Sequence, residues 1–446
     1  MRQLFGTDGI RGVAGRYPLD KKTVYAVGLA LGHHLPAGPR RLVIGQDTRE
    51  SGAWIADTLA AGLRETGAQV ESAGVITTPG IAYLTHTHGF SAGVVISASH
   101  NPWRDNGIKI FGSDGYKLPD AIELEIETEI FVRIEKAAGE IQPTGEASLP
   151  GSVKLRTDYV EWLAGLISNA GKLRVVVDCA NGAACAEAPE VFRLCGIQTE
   201  FIHNEPNGRN INANCGALHP EVVAGEVPAR KADLGICFDG DADRALFADS
   251  HGNVINGDAV MLLLARDLKQ HGRLPGDTVV ATTMSNMGLE VALRAAGIKM
   301  LRAPVGDKYV LEEMRKSGAA LGGEQSGHII LSQVATTGDG LLTALMVLET
   351  VARSGKSLAE LVADHKVFPQ TIKNVKVREK QPLNQIPPVQ HAIAAAERDL
   401  DGSGRVVVRY SGTETLARVM IEADSKEKME KHSTAIAQAI QEAIGV

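Results

Sequence analysis

The stretch VVISASHNPWRDNGIKI, residues 94–110, decides the fold. Its first three residues are apolar and β-branched, which predicts a buried strand. The chain then passes directly into small and polar residues from Ser97 to Pro102, which would make a poor core. In open α/β sheets, ligands bind outside the carboxyl ends of the strands. The stretch therefore predicts an α/β sheet with a reactive residue at Ser99, whose hydroxyl lies next to the imidazole of His100 in the sequence.

The same order of elements occurs three times along the chain. A strand, a helix, a second strand, a second helix and a third strand are predicted near residues 41–99, 173–243 and 278–328, and a glycine ends the first helix of each copy. Each third strand runs into a loop that is too polar for a core. After Ser99, these loops are DGDADR at 239–244 and GGEQSGH at 322–328. Three such loops facing one cleft would assemble a site from three domains.

The predicted fold class is α/β, with three similar α/β domains that have mixed sheets and a C-terminal α+β domain around a central cleft. Segment 139–152, rich in glycine and proline, is predicted to connect the first two domains. The predicted domains are residues 1–152, 153–254, 255–367 and 368–446.

The composition predicts a soluble protein without a nucleic-acid or membrane partner. Of 446 residues, 44% are hydrophobic, and a net charge of −7 with 4% aromatic residues argues against a nucleic-acid surface. The N-terminus has no apolar signal-peptide region, and no apolar run approaches the roughly 20 residues that cross a bilayer. Five cysteines without a C-x-x-C pair are typical of reduced thiols, so we expect a cytoplasmic protein.

The DGDADR loop predicts a metal site. Asp239, Asp241 and Asp243 are crowded directly after a strand, where three carboxylates repel one another unless a cation joins them. Their hard oxygen ligands suit Mg²⁺ or Ca²⁺. An EF-hand would need Gly and Glu where Arg244 and Ser250 stand, so that interpretation fails. An exposed acidic turn is the other alternative, and the apolar strand before the loop argues against it.

Ser99 admits two interpretations. A serine hydrolase is disfavoured because the G-x-S-x-G elbow is absent. Adjacent residues on an extended segment also point to opposite sides, which would place His100 badly as a base for Ser99. A serine that carries a phosphoryl group fits better, because three carboxylates leave a Mg²⁺ shell incomplete and a phosphate oxygen would add to it.

Two further loops predict ligand binding. RYSGTE at 409–414 follows an apolar strand and combines an arginine, hydroxyls and a glycine, which suits a phosphate cradle, although such loops are also ordinary turns. Arg418 could add a second guanidinium. In GGEQSGH, Glu324 and Ser326 could accept and donate hydrogen bonds to the hydroxyls of a sugar.

These motifs resemble those of the α-D-phosphohexomutase family, and the resemblance runs almost end to end. It implies four domains, three of shared α/β topology and a C-terminal phosphate-binding domain. The motifs that carry it are FGTDGIRG at 5–12, ISASHNP at 96–102, DNGIKIF at 105–111, DGDADR at 239–244, VGDKYV at 305–310, GGEQSGH at 322–328, TTGDGLLTAL at 336–345 and RYSGTE at 409–414.

The resemblance also implies roles for individual residues. Ser99 is implied to be the phosphoserine, and with its phosphoryl group it would complete a Mg²⁺ site on Asp239, Asp241 and Asp243. Arg11 and Lys109 would neutralise the transferred group. The acid/base stays open among His100, Lys109 and His328. The implied substrate-binding residues are Arg244, Lys308, Glu324, Ser326, His328, Arg409, Ser411, Gly412, Thr413 and Arg418.

Within the family, the sequence resembles the branch that acts on glucosamine phosphates, because relatives acting on mannose or glucose phosphates more often have Met in place of Gln325. This implies an isomerase of glucosamine 6-phosphate and glucosamine 1-phosphate that feeds cell-wall precursor synthesis, with Mg²⁺ and a sugar 1,6-bisphosphate as cofactors. The alternatives are a mannose or glucose phosphate mutase and a sugar-phosphate-binding protein without turnover. A small-molecule hexosamine phosphate is the expected partner, and a homodimer is left open. Lys308 and Thr415 depart from the branch, which commonly has Arg and Pro there.

Overall fold

The computed structural model describes most of the chain, in two compact units. The first unit comprises Met1–Thr283 and Leu301–Val362, and the second comprises Met284–Met300 and Ala363–Val446. Residues 139–148 of the predicted connection lie outside the described part of the chain. The described residues are 4–6, 8–35, 40–136, 149–168, 170–411 and 415–446.

The first sheet contains six strands, namely β1 (Phe5–Gly6), β2 (Gly9–Val13), β3 (Arg41–Gln46), β4 (Gln69–Val75), β5 (Ala92–Ile96) and β6 (Asp105–Gly112). Their order across the sheet is β1-β2-β6-β5-β3-β4, with β3 parallel to β4 and β5 and with β6 antiparallel to β5. The helices of this region are α1 (Lys21–His34), α2 (Gly52–Glu65), α3 (Thr78–Thr87) and α4 (Asp120–Lys136).

The second sheet contains five strands, namely β7 (Arg174–Asp178), β8 (Gln198–Ile202), β9 (Leu234–Phe238), β10 (Ala245–Asp249) and β11 (Val254–Ile255). Their order is β11-β10-β9-β7-β8, with β7 parallel to β8 and β9 and with β10 antiparallel to β9. The helices of this region are α5 (Val153–Ala164), α6 (Ala184–Leu194), α7 (Pro220–Ala229) and α8 (Gly257–Gln270).

The third sheet contains four strands, namely β12 (Thr278–Thr282), β13 (Lys299–Ala303), β14 (Leu321–Gly323) and β15 (Ile329–Leu331). Their order is β13-β12-β14-β15, with β12 parallel to β14 and with β15 antiparallel to β14. The helices that accompany these strands in the chain are α9 (Met287–Ala295), α10 (Asp307–Ser317), α11 (Gly340–Ser354) and α12 (Leu358–Leu361).

The three sheets share one arrangement. In each of them, the first strand of the repeated unit lies between the second and the third, and an antiparallel strand follows the third. This confirms the predicted fold class of three similar α/β domains with mixed sheets. The shared order also means that the three polar loops follow equivalent strands, β5, β9 and β14.

The second unit contains the fourth sheet and is α+β, as predicted. Its core is formed by apolar residues of the sheet and of its helices, among them Val389, Ile421 and Ile440, which are fully buried. The sheet is antiparallel in the order β16-β18-β17. Its strands and following helices are β16 (Gln370–Lys376), β17 (Gly404–Tyr410), β18 (Leu416–Ala423), α13 (Pro387–Asp399) and α14 (Lys426–Ile444).

Burial of the central strands positions the loops that follow them. Every residue of β5 and of β9 is buried, so both strands have the apolar faces that the sequence predicts. The chain can turn polar only after each strand has ended, which places the Ser99 and DGDADR loops at the carboxyl edge of their sheets. Among the helices of the described residues, none has the length and apolar character needed to cross a membrane.

Candidate active site

Ser99 lies on the loop after β5 and is 1% exposed. Its φ angle is 51°, in the left-handed region that residues other than glycine seldom adopt. The backbone N–H of Ser99 donates to the Ser97 hydroxyl at 2.9 Å, and the Ser99 hydroxyl donates to Oδ2 of Asp239. The predicted reactive serine therefore contacts the predicted metal loop.

His100 lies closer to Ser99 than the sequence predicts. An extended segment would direct the two side chains to opposite sides. The left-handed turn at Ser99 instead brings His100 Nδ1 within 3.4 Å of Ser99 Oγ, so the prediction of divergent side chains is wrong. Burial, with Arg244 and Arg11 nearby, lowers the pKa of His100 from its ordinary value.

The three aspartates of the DGDADR loop form one buried cluster. Carboxylate oxygens of Asp239, Asp241 and Asp243 all lie within 4.8 Å of one another. The loop between them is tight, and a Cβ at Gly240 would lie 2.5 Å from the carbonyl oxygen of Ser99. A glycine is therefore needed at this position for the aspartate loop to approach the Ser99 loop so closely.

The pKa values of Asp239 and Asp243 shift in opposite directions. Burial, with Asp243 and Asp241 nearby, raises the pKa of Asp239 well above its ordinary value. Burial opposes ionisation of Asp243 too, but Lys109 and His328 outweigh it and lower the pKa of Asp243. The Oδ1 atoms of Asp241 and Asp243 are buried and accept no hydrogen bond within the described part of the chain. The cluster therefore has oxygen atoms available for a cation.

Lys109, on β6, is the main cation against the cluster. It is 2% exposed, and its Nζ lies 2.8 Å from Asp241, 3.1 Å from Asp8 and 3.7 Å from Asp243. Burial alone would lower the pKa of Lys109, but these carboxylates raise it well above its ordinary value, Asp241 most strongly. Lys109 is therefore held as an ammonium ion. Arg11 reaches the same group through a hydrogen bond to Asp8.

Further ion pairs lie next to Lys109. Lys117 forms ion pairs with Asp8 and, at 2.5 Å, with Asp307 at the start of α10. His328 lies between two carboxylates, with Nδ1 3.6 Å from Asp243 and Nε2 3.8 Å from Asp307. Burial opposes protonation of His328, but Asp243 and Asp307 raise its pKa. The DGDADR loop is thus linked through His328 to Asp307 at the start of α10.

The GGEQSGH loop after β14, which the sequence predicts to bind a sugar, contains a glutamate that accepts two hydrogen bonds. Glu324 accepts a hydrogen bond from the backbone N–H of Gly306 at 3.0 Å and, at 3.4 Å, one from the Ser326 hydroxyl. Lys308 forms an ion pair with Asp120, at the start of α4. The predicted substrate-binding groups Glu324, Ser326 and Lys308 therefore belong to connected segments of the first unit. The backbone of Arg244 lies beside the aspartate cluster, and its N–H donates to Asp239 at 3.2 Å.

In the second unit, the predicted phosphate loop follows β17. Arg409 stands directly opposite Arg418 of β18 in the antiparallel ladder. Residues directly opposite each other share one face of a sheet, so this loop has two arginines on one face. Ser411 is 5% exposed, and its carbonyl accepts a hydrogen bond from Lys380 Nζ at 2.7 Å. Two of the predicted residues lie outside the described part of the chain, namely Gly412 and Thr413.

A second group of potential metal ligands lies at the carboxyl ends of β7 and β8. Donor atoms of Asp178, His203 and Cys215 lie within 4.8 Å of one another. Asp178, however, accepts hydrogen bonds from the backbone N–H groups of Ala180 at 2.8 Å and Gly216 at 3.0 Å. These hydrogen bonds give the Asp178 carboxylate a structural role in its loop, so we assign no metal to this group.

Comparison with known proteins decides the family. Four models of the phosphoglucomutase/phosphomannomutase family match: alpha/beta/alpha domains I, II and III at residues 2–136, 157–252 and 256–368, and the C-terminal domain at residues 372–439. The phosphoglucosamine mutase of Koribacter versatilis (strain Ellin345) is 64% identical over 454 residues, which cover 100% of this chain and 98% of the relative. The chain belongs to the phosphoglucomutase/phosphomannomutase family. Another member, the phosphoglucosamine mutase of Solibacter usitatus (strain Ellin6076), is 55% identical, with 100% of this chain and 99% of the relative covered.

The fold agrees with this family. A solved phosphoglucomutase/phosphomannomutase family protein from Burkholderia thailandensis superimposes with a TM-score of 0.78 at 25% identity, over 100% of both chains. Membership confirms the predicted resemblance and makes the protein an isomerase that transfers a phosphoryl group. The family is metal-dependent, and the buried aspartate cluster could bind that metal.

Several residues of the site were not predicted from the sequence. Asp8 lies within the quoted FGTDGIRG motif, so its position next to Arg11 was available as a signal. Thr78, whose hydroxyl donates to Asp241 at 2.6 Å, follows β4 in the first repeated unit, as the other site loops follow their strands. Lys117 offers no such signal, because it belongs to none of the quoted motifs and only the folded chain brings it to Asp8 and Asp307.

Proposed function

We propose that the protein is a phosphoglucosamine mutase, which interconverts glucosamine 6-phosphate and glucosamine 1-phosphate. The observation that carries the proposal is the hydrogen bond from the buried Ser99 hydroxyl to Asp239 of the aspartate cluster. This contact supports Ser99 as a phosphoryl carrier next to a cation site. Relatives named phosphoglucosamine mutase, 64% and 55% identical, support an amino sugar as the substrate. The proposal includes a cytoplasmic location.

Magnesium is the metal that we assign to the aspartate cluster. The residues that would hold it are Asp239, Asp241 and Asp243, together with Ser99 in its phosphorylated form. The fit rests on the buried Oδ1 atoms of Asp241 and Asp243, which have no hydrogen-bond partner among the described residues. Such hard oxygen ligands suit Mg²⁺, which commonly also takes a phosphate oxygen. When bound, it would neutralise charge on the transferred phosphoryl group.

Turnover begins with Ser99 phosphorylated. A hydroxyl oxygen of the sugar phosphate attacks phosphorus, and the bond between phosphorus and Ser99 Oγ breaks as the new P–O bond forms. The hydroxyl proton leaves the sugar and a proton returns to Ser99 Oγ, so the products are a free serine and a sugar 1,6-bisphosphate. After the bisphosphate reorients, its other phosphoryl group returns to Ser99 by the reverse reaction. Lys109, Arg11 and Arg244 supply cations for the moving group.

Two loops bind the rest of the substrate. We assign Glu324 and Ser326 to hydrogen bonds with sugar hydroxyls, and the hydrogen bond that Gly306 donates to Glu324 supports this role. We assign the non-reacting phosphate to the loop of Arg409, Ser411, Gly412 and Thr413, with Arg418. The opposed arginines favour this assignment, because a phosphate dianion could accept charge-assisted hydrogen bonds from two guanidinium groups on one face of the sheet.

The proton transfer has three candidate residues, namely His100, Lys109 and His328. His100 is the candidate nearest to Ser99 Oγ, at 3.4 Å. Lys109 and His328 are instead engaged by carboxylates of the cluster. We therefore assign charge-neutralising roles to Lys109 and His328. Single substitutions of His100, Lys109 and His328 would identify the residue that transfers the proton.

A substrate panel tests the proposed function. We would measure kcat/KM for the 6-phosphates of glucosamine, glucose and mannose with the same preparation, Mg²⁺ and bisphosphate. The proposal predicts the highest kcat/KM for glucosamine 6-phosphate. A higher value for glucose or mannose 6-phosphate would move the chain to the alternative branch. Binding of sugar phosphate without turnover of any of them would indicate a non-catalytic protein.

A further inference from the structure

Arg49 lies at the carboxyl end of the first repeated strand, where the sequence has Gln46, Asp47, Thr48 and Arg49 after β3. It is 2% exposed although it carries a permanent charge. An arginine is rarely buried to this degree unless it is paired. The carboxylate of Asp47 lies beside it, and its Oδ2 accepts from Arg49 Nε at 2.8 Å. The surroundings of the remaining guanidinium N–H groups therefore show what this residue does.

The other four N–H groups of the guanidinium all donate to backbone carbonyls of one loop. Nη2 donates to the carbonyl of Ser99 at 2.8 Å and to that of Asn101 at 2.9 Å. Nη1 donates to the carbonyl of Asp105 at 2.9 Å and to that of Pro102. Arginine has five N–H donors in a fixed planar fork, and here each one has an acceptor.

Asp47 extends the same network to the other side of Ser99. Its Oδ2 also accepts from the Ser97 hydroxyl at 2.6 Å, and the Ser97 hydroxyl in turn accepts from the N–H of Ser99 at 2.9 Å. The backbone N–H and the backbone carbonyl of Ser99 are thus both fixed through the Asp47–Arg49 pair. Ser99 has an unfavourable φ of 51°, which persists only if the surroundings hold it.

A second side chain supports the same carbonyls from another repeated unit. Asn212 Nδ2 donates to the carbonyl of Ser99 at 2.9 Å and to that of Asn101 at 3.2 Å. Asn212 is 8% exposed and follows β8 in the chain. Two donors from two separate segments therefore converge on the carbonyl oxygen of the residue that receives and returns the phosphoryl group.

From this geometry we propose that Arg49, assisted by Asn212, is a positioning residue for phosphoryl transfer at Ser99. Its guanidinium fixes the backbone of residues 99–105 in the left-handed turn that directs the Ser99 hydroxyl at Asp239. Arg49 itself does not contact the substrate. The inference rests on the proposed phosphoserine mechanism, because it is the transfer to and from Ser99 that requires this precision.

The test is Arg49→Lys, which keeps the charge but cannot reproduce five planar donors. We expect kcat for mutase turnover to fall by about 100-fold, the cost of a misplacement near 1 Å, with KM within about threefold of the unmodified protein. Arg193→Lys is the matched control, because Arg193 is exposed and pairs only locally with Glu190. Thermal unfolding of each variant would establish that the folded protein is being assayed.

A second readout separates this inference from the proposed function. The dephosphorylated proteins are incubated with a sugar 1,6-bisphosphate, and the rate at which Ser99 gains a phosphoryl group is followed by intact mass. If the unmodified protein gains none, the proposed function fails. If it does and folded Arg49→Lys keeps kcat and this rate within about threefold, the positioning role is overturned.

Asn212→Ala keeps the inference testable if Arg49→Lys does not fold, since it removes donors to the same carbonyls without disturbing the buried ion pair. We expect a loss of about tenfold in kcat, from hydrogen bonds removed at the Ser99 carbonyl, with KM unchanged. An unchanged kcat in this variant would contradict the proposal.

Discussion

Lys109→Met tests whether the lysine balances the aspartate cluster. Methionine has nearly the length of lysine and no charge. In the unmodified protein, the Lys109 ammonium lies 2.8 Å from Asp241 and 3.1 Å from Asp8, with 2% of the residue exposed. Removing one partner from a buried ion pair costs about 3–5 kcal/mol, because the remaining charge has no counterion. At about 2–4 °C for each kcal/mol in a large domain, Tm should fall by roughly 6–20 °C.

The assay is thermal unfolding at pH 8 with a chelator and then with Mg²⁺. A ligand that binds only the folded state stabilises it by mass action. Mg²⁺ should therefore restore part of the lost Tm in Lys109→Met, because both cations neutralise the same carboxylates. Lys316→Met is the control: Lys316 is 72% exposed and lies 4.0 Å from Glu313, so its loss should cost less than about 1 kcal/mol. If Lys109→Met unfolds in chelator within about 2 °C of the unmodified protein, Lys109 does not balance the charge of the aspartate cluster.

Three further predictions concern the metal, the distal phosphate and pH. Asp241→Asn should weaken Mg²⁺ binding at least about tenfold in a calorimetric titration, since it removes a ligand charge; an unchanged titration would exclude Asp241 as a ligand. Arg409→Gln should raise KM by about 10- to 100-fold through a lost charge-assisted hydrogen bond; an unchanged KM would refute the phosphate assignment. Burial raises the pKa of Asp339 to about 6. The folded state then binds more protons than the unfolded state between about pH 4 and 6, so this group's stabilisation, about 3 kcal/mol, is lost as pH rises through that range. The stability difference between the unmodified protein and Asp339→Asn should change across this range in urea titrations, and a constant difference would contradict it.

The parts of the fold that the sequence predicts are those set by local patterns. Apolar β-branched runs that end in polar loops identify β5 and β9, because a buried strand and its exposed end differ sharply in composition. The loops of Ser99 and of Asp239 were found in this way. Their meeting was an expectation from metal chemistry, and the structure brings the two side chains into a hydrogen bond.

The parts that the sequence does not predict depend on long-range contacts or on backbone conformation. No glycine or asparagine at position 99 announces a left-handed turn, so His100 was expected to point away from Ser99. Arg49 is 50 residues from the Ser99 carbonyl that it holds, and an isolated arginine after a strand carries no periodic signal. Lys117 is likewise distant in the chain from Asp307, which lies 190 positions further on.

The proposed mechanism depends on Ser99 as the carrier of the phosphoryl group. The most direct measurement is the intact mass of the protein and of Ser99→Ala after incubation with a sugar 1,6-bisphosphate and Mg²⁺, followed by addition of glucosamine 6-phosphate. If Ser99 is the carrier, the unmodified protein gains one phosphoryl group and then loses it to the sugar, and the folded, inactive Ser99→Ala variant gains none. Phosphorylation of Ser99→Ala, or mutase turnover near the unmodified rate in that variant, would contradict it.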